Sequence, residues 1–139
     1  MNPHIVSGPT ALNELTIAEC EGLLLRTPVG RLGFTFAGEQ CILPVNYRFV
    51  DGQIVFRTST GRKLHAVAGE KNLAFEVDRW DRETRTGWSV LVVGPAEEIS
   101  DYEDFEKVEG LGLRPWANDP EQNRWIRIVP EKISGRRIS

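Results

Sequence analysis

Hydrophobic and polar positions change their spacing several times along the chain, and each change marks an element. Ile17, Cys20, Leu23 and Leu24 recur at helical intervals behind Thr16, and Glu19 stands three residues after Thr16. That pair fits a capping box, so a helix is expected from Thr16 to about Arg26, stopped by Pro28. From Val29 the period falls to two: Leu32, Phe34 and Phe36 alternate with Arg31, Gly33 and Thr35, as in a half-buried strand. Residues 37–40 read as a turn into a second strand, Cys41 to Val50, in which Pro44 marks an edge or a bulge. Asp51-Gly52 is a two-residue hairpin signal leading into a strand from Gln53 to Thr58.

Further on, Leu73 to Asp78 alternates again. Gly87 to Ser100 reads as one long strand, apolar on both faces between Trp88 and Val93. A short helix is expected near Lys63 to Gly69. A second capping box, Ser100 with Glu103, opens a helix ending near Gly110 or Gly112. Residues 113–122 hold two prolines and read as loop, and strands from Arg124 to Val129 and from Lys132 to Ile138 close the chain. Residues 1–15 read as a loosely ordered lead-in to a single domain over 16–139. Strands outnumber helices and follow one another through tight turns, without a helix after each strand. The pattern predicts a mainly β, antiparallel barrel with peripheral helices, not a doubly wound sheet.

Composition narrows the function. The 139 residues carry a net charge of -3 with both signs scattered, which gives no basic run for nucleic acid. No apolar run approaches the roughly 20 residues that span a bilayer, and no signal peptide is visible in Met1 to Leu15. A cytoplasmic protein without membrane or nucleic-acid partners is expected. Cys20 and Cys41 are isolated, so two reduced, buried thiols are expected and no metal site.

The segment Phe56-Arg57-Thr58-Ser59-Thr60-Gly61-Arg62-Lys63-Leu64 sets three hydroxyls, a glycine and three cations between a strand and an expected helix start. A phosphate dianion needs charge-assisted donors and open backbone N–H groups, and such a loop offers both. A phosphate-bearing cofactor is the first expectation. His65 reads as an ordinary solvated residue. Glu76 and Asp78 fall on one strand face, and nothing local calls for a perturbed carboxyl there. No catalytic residue is assigned.

Several pieces in order resemble the pyridoxamine 5′-phosphate oxidase-like family of FMN-binding split barrels, especially short bacterial members related to nitroimidazole-resistance proteins. They are Leu15-Thr16 through Leu24 before Gly30-Arg31-Leu32, Pro44-Val45-Asn46-Tyr47, and Asp51-Gly52 before Phe56-Arg57-Thr58. Gly61-Arg62-Lys63, Phe75-Glu76-Val77-Asp78, Trp88-Ser89-Val90 and Arg124 to Pro130 continue the series. The resemblance implies a six-stranded barrel, a homodimer, and a non-covalent FMN at the subunit interface that exchanges hydride with a small molecule.

It implies that Arg57, Thr58, Arg62 and Lys63 meet the phosphate, and that the backbone of Pro44, Val45, Asn46 and Tyr47 meets the flavin ring. Trp88 and Ser89 would reach the flavin from the partner subunit, and Trp125 would lie over its dimethylbenzene end. The Arg-Leu-His-Asp-Arg segment of the true oxidase is absent from the C-terminal region, which ends Ile133-Ser134-Gly135-Arg136-Arg137 before the last two residues. Related split barrels use the deazaflavin F420 instead, with Arg79, Arg82 and Arg85 as candidates for its acidic tail, or bind haem, or serve as carriers or sensors.

Overall fold

The computed structural model describes residues 11–58, 67–100, 107, 110–112 and 124–139. Nine strands and one helix lie in them. The strands are β1 (Leu12–Glu14), β2 (Val29–Phe36), β3 (Glu39–Val50), β4 (Gln53–Thr58), β5 (Leu73–Asp81), β6 (Thr86–Gly94), β7 (Ala96–Glu98), β8 (Arg124–Ile128) and β9 (Lys132–Ile138). The helix is α1 (Ile17–Arg26). The strands form one antiparallel sheet in the order β1-β9-β6-β5-β2-β3-β4-β8-β7.

Local chemistry accounts for the well-marked elements. Thr16 caps α1: Glu19 N donates to Thr16 Oγ1 at 3.1 Å, and Thr16 N donates to Glu19 Oε1 at 3.0 Å. Cys20, Leu23 and Leu24 form the buried stripe of α1. At the β3–β4 hairpin Asp51 and Gly52 both take positive φ, 53° and 75°, the twist that a two-residue turn between right-handed strands requires. Inside, Phe75, Val77, Val90, Val92, Ile54, Phe56, Ile126 and Ile128 make one continuous core with α1 laid against it.

The count of nine strands corrects the expected six. Two of the additions are three-residue strands, and one of them comes from a break. Pro95 interrupts the expected strand 87–100, because it cannot donate to a ladder, and splits it into β6 and β7. The break lets one run of chain serve two neighbours: β6 pairs with β9, while β7 pairs with β8. Gly94 makes the junction possible, since a Cβ there would meet the Val129 carbonyl oxygen at 2.1 Å. β6 is also buried on one face only, with Leu91 on the other 39% exposed.

Three smaller expectations change. β1 gives the lead-in a fixed end, because Leu12, Asn13 and Glu14 pair with Ile138, Arg137 and Arg136. β5 runs on to Asp81. Cys20 is buried but Cys41 is only half-buried, and both are free thiols. Of the two further helices, residues 63–66 and 101–106 lie outside the described residues. No helix among the described residues is long and apolar enough to cross a membrane.

Candidate functional site

The most informative local feature is the parting of β3 from β4. β3 pairs with β2 from Glu39 to Asn46, and with β4 only from Tyr47 to Val50. The last rung between β3 and β4 is Tyr47 opposite Phe56. Beyond it Val45 and Asn46 stay with β2, while Arg57 and Thr58 stay with β8, opposite Trp125 and Arg124. The two strands therefore flank an opening. Along residues 39–46 no described strand pairs with the second edge of β3, and Pro44, which has no N–H to pair, stands exposed in that stretch. Four of the expected ring-binding positions and two of the expected phosphate-binding positions meet at this opening.

Their side chains divide into inward and outward groups. Val45 and Tyr47 are buried, so only their backbone can serve a ligand. The Tyr47 ring meets Phe75 edge-on at 4.7 Å, and its hydroxyl donates to the Leu24 carbonyl at 2.7 Å. Burial pushes the phenol well above its usual range, with the Thr27 hydroxyl opposing. Pro44 is exposed and Asn46 half-buried on the alternate face. Arg57 lies with its guanidinium 5.3 Å from the centre of the Trp125 ring. Trp125 is 1% exposed, packed with Val55, Ile99 and Leu111. The resemblance put its indole over a flavin. The structure buries the indole within the chain, with the Arg57 guanidinium over its ring.

Trp88 and Ser89 stand elsewhere. They are half-buried on β6, which is separated from β3 by β5 and β2 in the sheet. The register sets Trp88 between Arg79 of β5 and Arg137 of β9. These three, with Asp81 and Thr86, line a groove of about 290 Å³. A neighbouring groove of about 410 Å³ is bordered by Trp80, Ser89, Arg136 and Ile138.

Glu76 and Asp78 also border that second groove, and here the structure overturns the expectation of an unperturbed pair. Arg31 Nη1 donates to Glu76 Oε1 at 3.1 Å and to Asp78 Oδ2 at 2.9 Å. Burial pushes the Glu76 carboxyl up to about 7; a hydrogen bond with Asp78 and that residue's charge add to the rise, against the pull of Arg31. Sequence spacing showed the two acids on one face. It could not show Arg31, brought opposite Glu76 by the β2–β5 register across 45 positions. Arg62 and Lys63 lie outside the described residues, as do Ser59, Thr60 and His65; Thr58 leads directly into them. No group of metal-ligating side chains occurs among the described residues.

Comparison with known proteins gives the geometry its setting. A family model described as pyridoxamine 5′-phosphate oxidase matches residues 16–137. The chain is 38% identical over 130 residues to the uncharacterized protein Rv0080 of Mycobacterium tuberculosis, covering 90% of this chain and 84% of that one. Among solved structures, an FAD binding protein from Mycobacterium smegmatis superposes with a TM-score of 0.77 at 33% identity, covering 91% of this chain and 98% of the other. A 5-nitroimidazole antibiotic resistance protein from Bacteroides thetaiotaomicron shares the fold, with a TM-score of 0.72 at 13% identity over 93% of this chain and 90% of that one.

Proposed function

The chain belongs to the pyridoxamine 5′-phosphate oxidase-like family, and on that premise we propose that it binds a flavin nucleotide without a covalent bond and uses it in oxidoreduction of a small molecule. One observation carries the reading: β3 and β4 part at Tyr47 and Phe56, leaving unpaired strand edge on one side and Arg57 with Thr58 on the other. A flavin presents a heterocycle edged with donors and acceptors and a phosphate some way along its chain. The opening offers matching partners to both.

In this reading the main chain of residues 44–47 holds the ring edge, and its rigidity comes from the pairing of β3 with β2 and from the buried Tyr47 side chain. Pro44, lacking an N–H, leaves that edge with acceptors. Arg57, Thr58, Arg62 and Lys63 hold the phosphate, the two arginines as flat forks of donors and the lysine as a compact charge. Trp125 fixes the height of Arg57. A bound flavin supplies two-electron redox chemistry. The chain's part is to orient the ring and shed water from it. Trp88 and Ser89, too far along the sheet to serve the same opening, complete it from a second copy in a cytoplasmic homodimer. FMN satisfies every contact named. FAD satisfies them too, and the FAD-binding relative at 33% identity supports it.

Absorption of the freshly purified protein, with mass identification of any released chromophore, tests the reading. Apo-protein is then titrated with FMN, FAD and F420. Flavin is expected to bind, and Arg62→Ala with Lys63→Ala together should leave the protein colourless. Failure of both flavins to bind, or full occupancy in the double variant, removes the assignment.

A further inference from the structure

In the Arg79–Trp88–Arg137 row, the two arginines beside Trp88 are cations that the proposed contact with the flavin ring and its first phosphate does not use. Adjacent strands stand about 4.8 Å apart, so the outer two backbones of the row are separated by roughly 10 Å, with the indole between them. Among the described residues Arg79 enters no ion pair, and Arg137 has a single long contact, 3.4 Å, with Glu19. Ser139 also lines this groove, and the one acidic side chain there, Asp81, is turned to local use: its Oδ1 accepts from the backbone N–H of Glu83 at 2.9 Å and of Thr84 at 3.2 Å. The larger neighbouring groove shares Arg79, Gly87, Trp88 and Ile138 with it. Trp80, 58% exposed, lines that neighbour only and, by strand alternation, stands on the other face of β5 from Arg79.

Two cations spaced about an indole select a particular kind of ligand. A simple carboxylate would need one arginine and no ring. An apolar molecule would need the indole alone. A nucleoside diphosphate uses all three, with its base stacked on the tryptophan face and its phosphates reaching the guanidinium groups. We infer that this groove binds the adenosine diphosphate end of a dinucleotide flavin whose ring is held in the opening between β3 and β4 of the partner copy. The inference rests on the proposed flavin site. It deepens that reading by assigning the cofactor's second half to Arg79, Trp88 and Arg137.

The test uses the full chain with FMN, FAD and ADP as separate probes, in wild type and in Arg79→Ala. Arg79 is exposed and unbridged, so the variant should fold, and its thermal midpoint checks that it does. FAD binding is expected to weaken about tenfold in the variant, as loss of one charge-assisted contact implies, while FMN binding stays as in wild type. ADP alone should quench tryptophan fluorescence of flavin-free wild type, and less so in the variant. Equal losses for FMN and FAD, or no loss for either, overturn the inference and leave the flavin site standing. Wild type that takes neither flavin removes the flavin reading; ADP quenching sensitive to Arg79 then still supports the groove, and its absence overturns it.

Discussion

Tyr47 Oη donates to the carbonyl of Leu24 in the space where the residue four positions after Leu24 would ordinarily donate its backbone N–H. That residue is Pro28, which has none. A phenol from β3 thus replaces a bond that the helix C-terminus cannot make for itself, and it ties α1 to the strand beside the opening between β3 and β4. Thr27 helps at the neighbouring carbonyl, with its N–H at 3.1 Å and its hydroxyl at 2.6 Å from Leu23 O.

Tyr47→Phe keeps the ring and its edge contact with Phe75 but strands the Leu24 carbonyl. A loss of about 1–3 kcal/mol is expected in urea unfolding, the usual cost of a buried acceptor left bare. Unchanged stability would mean that water reaches this carbonyl.

Glu76 makes stability depend on pH in a defined direction. Its carboxyl titrates near 7 in the fold, against an ordinary 4.5 in the unfolded chain. The folded state therefore holds the proton more tightly between those values, and its stability falls as pH rises from about 4.5 to 7. Glu76→Gln removes this slope, so its stability relative to wild type should improve steadily across that window and level off above it. Parallel melting curves at pH 4.5, 6 and 7.5 provide the check.

Glycines at two sites should respond in opposite senses. Gly94→Ala forces a methyl into the Val129 carbonyl and should cost about 2 kcal/mol or more, because backbone on both sides has to move. Gly22, inside α1, has nothing within 4 Å of its missing Cβ. Gly22→Ala should gain about 0.5–1 kcal/mol from helix propensity. Guanidinium titrations of both variants separate the two effects.

A shared site between copies predicts complementation. Trp88→Ala alone and the Arg62→Ala, Lys63→Ala pair alone should each bind flavin poorly. Unfolded together in equal amounts and refolded, half of the dimers are mixed, and each of those has one intact site. Flavin occupancy should recover to roughly a quarter of wild type. No recovery would place Trp88 outside the partner's site.

What could be foreseen from the sequence was whatever depends on neighbours along the chain. The α1 cap, the β3–β4 turn and the last strand follow from Thr16 with Glu19, Asp51 with Gly52, and the spacing of Lys132 to Ile138. Pro95 carries a local signal for its break, since a proline seldom sits inside a central strand, whereas the apolar run from Trp88 to Val93 alone reads as unbroken strand. Arg31 against Glu76 and Asp78, and Arg79 and Arg137 about Trp88, arise from register across the sheet, for which nothing local is responsible. The same holds for the inward turn of Trp125: its burial depends on Val55, Ile99 and Leu111, from three separate stretches.

β3 belongs in turn to two partners, β2 through Asn46 and β4 from Tyr47 onward. In the proposed site, a molecule seated at that changeover is a splint across a joint, gripping one half of the sheet by residues 44–46 and the other by Arg57 and Thr58. Emptying the joint frees the halves to swing independently, so amide exchange should quicken on both sides of it at once, far beyond the atoms the molecule touches.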